Sequence, residues 1–163
     1  MDASLSMRGE KIALLAVASA VVSLCLPPRR LSLMGFDSGI RWVKKFEEDL
    51  PIERIVERVL ELPTGGFTNI ELALQETEKT LSLFHKEKAN VVLITDGKYT
   101  EGNDPTPLAS HFPRLHVLKI GRDQAGRSLL FELCARGNGR FFEARKISEL
   151  PNTMYKAMRT VLR

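Results

Sequence analysis

The run Ala89-Asn-Val-Val-Leu-Ile-Thr95, closed by Asp96-Gly97, is the feature that most narrows the fold. Its apolar residues are continuous instead of alternating. A strand wetted on one face alternates; a continuous run marks a strand covered on both faces, as in a parallel sheet. The flanking segments agree. Helical spacing places helices over Met7–Leu26, Pro51–Leu62, Asn69 to about Lys86, a short one near Pro107–His111, Ser128–Arg136 and a last one capped by Ser148. Strand patterns fall at Leu31–Phe36, Ile40–Phe46, Leu115–Ile120 and Phe141–Ala144. Strands alternating with helices predict an α/β fold: a Rossmann-like three-layer sandwich with a mostly parallel central sheet flanked by helices. The Asp37-Ser38-Gly39 turn makes Ile40–Phe46 an antiparallel edge strand.

With 163 residues the chain fits a single domain, 1–163, and its 44% hydrophobic and 27% charged residues exclude a disordered segment. Residues 1–113 carry a net charge of −3 and residues 114–163 a net of +7. A basic third can meet an acidic partner or nucleic acid, but these cations are dispersed with no aromatic interleaving, so a solvated surface is expected and nucleic acid is not. Cys25 and Cys134 sit in apolar stretches and form no CxxC; both are expected in the core of a reduced, cytoplasmic protein. The run Ile12–Leu26, preceded by Arg8 and Lys11, imitates a secretory signal. Asp2 and Glu10 put acid in the would-be basic region, and Ala18-Ser19-Ala20 falls mid-run instead of after it. At 15 residues the run is also short for a membrane span, so a buried core helix is expected.

Oxygen-bearing side chains stand at three separated loops: Asp2, Ser4 and Ser6, then Thr68, then Asp96. In open α/β sheets ligands bind beyond the carboxyl ends of the strands, and Asp96 directly follows the buried run. The Asp-x-Ser-x-Ser spacing lets alternate side chains converge on one centre. Carboxylates and hydroxyls are hard ligands, suited to Mg²⁺ or Mn²⁺. Hydroxyls are neutral, so an ion held largely by them stays electrophilic and favours one further anionic ligand, such as an Asp or Glu from another protein.

Together, Asp2-x-Ser4-x-Ser6, Gly66-Phe67-Thr68-Asn69 and Ile94-Thr95-Asp96-Gly97 resemble the metal-ion-dependent adhesion site of the von Willebrand factor A domain family, across essentially the whole chain. The stretch Leu62–Thr68 is similar to the A domain of the magnesium chelatase D subunit and its relatives, which work with MoxR-type AAA+ ATPases. The resemblance implies that Ser4, Ser6 and Thr68 bind the ion directly, and Asp2 and Asp96 mostly through water. It implies a non-catalytic adaptor, in a bacterium or archaeon, for an AAA+ ATPase or a client supplying a carboxylate. In the family a central strand runs into the first Asp, whereas only Met1 precedes Asp2 here. That strand is therefore expected to be missing, either because the natural domain starts upstream or because another chain inserts it. Asp2 would then be poorly anchored.

Rival readings are thin. Gly65-Gly66 before a helix could cradle phosphate, but no GxGxxG or GxxxxGK[ST] pattern is present. A hydrolase could pair Ser4 or Ser6 with His111 or His116, but there is no GxSxG elbow. His85, His111 and His116 lack zinc-ligand spacing and are expected at the surface or satisfied.

Overall fold

The computed structural model describes residues 1–86 and 88–161. Five strands are flanked by helices: β1 (Leu33–Phe36), β2 (Ile40–Lys44), β3 (Asn90–Thr95), β4 (Arg114–Ile120) and β5 (Phe141–Ala144). The helices are α1 (Glu10–Cys25), α2 (Ile52–Leu60), α3 (Ile70–Leu83), α4 (Thr106–Ala109), α5 (Arg127–Arg136) and α6 (Leu150–Val161). β3, β4 and β5 are parallel, and β1 pairs antiparallel with β2. The α/β architecture is as the sequence predicts.

Side-chain alternation along the strands divides the core into two layers. On one face Ile94, Leu118, Ile120 and Ala144 pack with α1, α2 and α6; on the other Leu93, Leu115 and Val117 pack with α3, α4 and α5. α2 buries Ile55 and Val59 one turn apart, and α3 is capped by Asn69, whose Oδ1 accepts the Leu72 N–H at 2.9 Å. α1 is less enclosed than its composition implies. Leu14, Leu15, Ala16, Ala18 and Ser19 are buried, but Val17 is 50% and Leu24 73% exposed. A helix with no polar stripe need not be wrapped on every side; here it is covered only where α2, α6 and the sheet reach it. Cys25, at its end, is exposed and Cys134 buried, so the expectation of two core cysteines holds for one of them.

Among the described residues no strand stands at the centre of the sheet, as expected; the first residues form only an isolated bridge there. Met1–Ala3 lie between β1 and β3 and hold the two halves together. The Asp2 N–H donates to Ile94 O at 2.8 Å, the Ala3 N–H to Phe36 O at 2.7 Å, and the Phe36 N–H to Met1 O at 2.9 Å. Asp2 bridges Phe36 in parallel. The two half-sheets flank a cavity of about 750 Å³, lined by Met34, Trp42, Val92, Leu81, Met154 and Met158 among others. Because strand residues point their main-chain groups alternately left and right, and Ile94 faces this gap, Val92 and Asn90 face it too. The Met1 ammonium is itself buried at the gap's end, donating to Met34 O at 2.8 Å.

Two lysines are buried within strands. Lys44 donates to the carbonyls of Pro28, Leu31 and Lys45 at 2.6, 3.0 and 3.0 Å. Lys119 donates to Gly121 O at 3.0 Å and lies 3.7 Å from Glu143. Burial lowers the pKa of both.

Candidate metal site

Three loops meet at the carboxyl end of the sheet. The first follows the central residues: Asp2 and Ser4 are buried, and Ser4–Ser6 lead through a short 3-10 turn (Leu5–Met7) into α1. The second, Pro63–Asn69, enters α3. The third begins at Asp96, directly after β3. Main-chain bonds lock them together. Gly65 N–H donates to Ala3 O at 3.2 Å and Leu5 N–H to Gly66 O at 3.4 Å, joining the first and second. Thr100 and Glu101 N–H groups donate to Thr68 O at 3.0 and 3.2 Å, joining the second and third.

Each residue singled out in the sequence lies on one of these loops. Asp2 Oδ1 accepts the Ser4 N–H at 2.9 Å and Asp2 Oδ2 the Thr95 hydroxyl at 2.6 Å. The Ser4 and Ser6 hydroxyls face each other at 3.1 Å. Thr68 is buried, and among the described residues its hydrogen bonds run through its main chain alone. Asp96 is buried, with Oδ2 held by the Lys11 ammonium at 2.8 Å. Among the described residues no side-chain hydrogen bond joins Thr68 to Ser4, Ser6 or Asp96; these are linked through the main chain of their loops.

The electrostatics suit a cation. Burial raises the pKa of Asp2, and the neighbouring Asp96 pushes the same way, while hydrogen bonds from Thr95 and Ser4 oppose them. Beside Thr68, Glu101 carries a carboxylate oxygen, Oε2, buried without a hydrogen-bond partner. Two buried carboxylates, only one of them in contact with an ammonium, together with hydroxyls as neutral donors make an all-oxygen set of the kind that fits a hard divalent ion.

Sequence reasoning missed Thr95, Lys11 and Lys119 here. Lys119 interrupts an apolar strand and Thr95 ends one, usable signals; Lys11 on a helix's first turn carries none. The loop residues after Asp96 are structural: Asn103 N–H donates to Glu71 Oε2 at 2.7 Å and Asp104 caps the Thr106 N–H at 2.9 Å. The histidines lie apart from the serines. His111 pairs with Glu78 at 3.0 Å, and buried His116 accepts the Arg140 N–H at 3.1 Å.

Solved structures share the fold. Proximal thread matrix protein 1 from the mussel byssus superposes with a TM-score of 0.78 at 16% identity, over 97% of this chain and 45% of that one. The chain thus spans less than half the length of the mussel protein. That protein has also been solved with a zinc-occupied MIDAS motif. An aerotolerance-related membrane protein from Bacteroides fragilis NCTC 9343, with multiple mutations to serines, gives 0.72 at 14% identity over 99% and 95% of the two chains. BatB from Bacteroides thetaiotaomicron gives 0.66 at 15% identity over 99% and 96%. At such identities the likeness is one of fold. No curated protein sequence matches. Among the described residues no helix is long and apolar enough to cross a membrane. The profile of the von Willebrand factor type A domain matches residues 1–98, which take in the first two loops and the start of the third at Asp96. Domains of this kind serve protein–protein interaction and adhesion. Because the match covers more than half of the chain, this protein belongs to the von Willebrand factor type A domain family.

Proposed function

We propose that this chain is a divalent-cation-dependent protein-binding module, with Mg²⁺ or Mn²⁺ held by Asp2, Ser4, Ser6, Thr68 and Asp96. The observation that carries the reading is the interlocking of three oxygen-bearing loops around two buried carboxylates. When bound, the ion supplies an electrophilic centre for a carboxylate of the partner. The chain's own part is to orient the donors: Thr95 and the Ser4 N–H hold Asp2, and the Thr100–Glu101 turn holds Thr68. The partner is a protein offering Asp or Glu. From the sequence resemblance of Leu62–Thr68 to magnesium chelatase D and its relatives, it is a MoxR-type AAA+ ATPase or a client of one, in the cytoplasm.

Titration calorimetry with Mg²⁺ and Mn²⁺ tests the reading. The wild-type chain should bind one ion, while Thr68→Ala and Asp96→Ala should bind it at least tenfold more weakly. A folded chain that binds neither ion, or variants that bind as well as wild type, would overturn it. A purified MoxR-type ATPase should be retained by the immobilised chain in Mg²⁺ and released by chelator; retention indifferent to chelator removes the metal from the interaction.

A further inference from the structure

Lys11 is not explained by the donor pattern. It stands in the first turn of α1, and its ammonium reaches back to donate to Asp96 Oδ2 at 2.8 Å and to Ser6 O at 2.9 Å. Its stem crosses the end of β4, where a Cβ on Gly121 would stand 3.5 Å from Lys11 Cε. One ammonium thus ties the first loop to the third, through oxygens of the residues assigned to the ion. Its side chain is 30% exposed, whereas that of Asp96 is 3% exposed. The lysine can therefore leave toward solvent, and the carboxylate cannot follow.

We propose that Lys11 sets the ion affinity of the site: its ammonium acts as a resident cation on Asp96, and a divalent ion binds only at the expense of that contact. The proposal rests on the reading of these loops as a divalent-cation site. The physics is charge competition. Asp2 and Asp96 offer a formal charge of −2 to an incoming ion, and Lys11 cuts that to −1. An ammonium in hydrogen-bond contact with a ligand also repels a dication directly, with twice the energy of a unit-charge pair at the same separation. The partial exposure of Lys11 screens this repulsion. The expected effect is therefore an order of magnitude in affinity, not many. A consequence for the partner follows. Ion binding turns the Lys11 ammonium outward beside the ion, adding a second positive charge to the surface that meets an acidic side chain.

The test is titration of Mg²⁺ and of Mn²⁺ into the full chain, with K11M and K11Q beside wild type and K98M as the control. Lys98 is nearby but exposed and paired with Asp123. Both Lys11 variants should bind about tenfold tighter or more, and K98M should shift far less. Unchanged or weaker binding in folded Lys11 variants would overturn the proposal. If the wild-type chain binds the ion and these variants bind no better, the cation reading stands and the role of Lys11 alone falls. If wild type and variants all bind no ion, both fall. Should either variant fail to fold, the ¹⁵N-lysine Nζ signal of Lys11 in the wild-type chain decides. Saturating Mg²⁺ should move it toward free lysine with faster proton exchange, and an unchanged signal overturns the proposal.

Discussion

Acetylating the Met1 amine should stabilise the 163-residue chain, and by an amount that depends on pH. The ammonium is buried at the end of the central gap, and burial lowers its pKa from 8.0 to about 5, with the Asp2 carboxylate opposing only part of the shift. The sign is fixed by linkage. Between pH 5 and 8 the unfolded amine holds a proton that the folded one has lost, so stability rises with pH across that window and is lost as pH falls toward 5. Three units at about 1.4 kcal/mol each give about 4 kcal/mol between pH 8 and pH 5. An Nα-acetyl group removes the charge but keeps an N–H for Met34 O. Urea unfolding of both forms in chelator, at intervals from pH 5 to 8.5, isolates the amine together with its coupling to Asp2, because the histidines are present in both and cancel in the difference. The two forms should converge in their pH dependence near pH 8, and the acetylated form should gain on the free amine as pH falls. A difference that stays constant from pH 5 to 8 would refute the buried-amine argument.

Two further predictions concern groups outside the site. Lys44→Met should lower stability by about 1–3 kcal/mol in urea unfolding, because three carbonyls, that of Leu31 buried and those of Pro28 and Lys45 partly so, lose their donor while the new side chain fills the space; a loss under about 0.5 kcal/mol would show that water reaches those carbonyls. Burial pushes the Cys134 thiol up to about 11, whereas Cys25 is exposed, so a disulfide reagent at pH 8 should titrate one thiol per native chain and two in denaturant. Rapid modification of both in the native state would contradict that packing.

Much of the architecture was legible because it rests on patterns with a period. The continuous run at Ala89–Thr95 predicts a doubly covered parallel strand, and β3 occupies Asn90–Thr95 between β4 and the central residues. Phe141–Ala144 is a strand over the residues expected. The final helix differs for a local reason. Its pattern places the cap at Ser148, but Ser148 lies in a 3-10 turn, Ile147–Glu149, and α6 starts at Leu150. What periodicity cannot carry is contact between distant segments. Lys11 finds Asp96 across 85 positions and Thr95 finds Asp2 across 93. Neither pairing leaves a trace in local spacing.

Anchoring of the first ligand illustrates the same point with an opposite outcome. A carboxylate at the second position of a chain reads as loosely held, since ends fray unless tied down. Asp2 is instead fully buried, with its N–H on Ile94, Ala3 on Phe36, and its carboxylate between the Ser4 N–H and the Thr95 hydroxyl. Those bonds are short and come from both half-sheets, so holding the ligand and holding the sheet together are one task performed by the same three residues. Loosening at the gap between β1 and β3 therefore reaches the site through Asp2 and through Asp96 at the end of β3, before it reaches Thr68, which leads into α3. Metal affinity and the stability of the central junction should then rise and fall together. Variants at Met34 or Val92, which line the gap and touch no ligand, should weaken Mg²⁺ binding in proportion to their loss of stability. Variants of equal cost in α5, such as Leu133→Ala, should leave the ion affinity of the folded chain unchanged, and finding both sets equally harmful to ion binding would break the link.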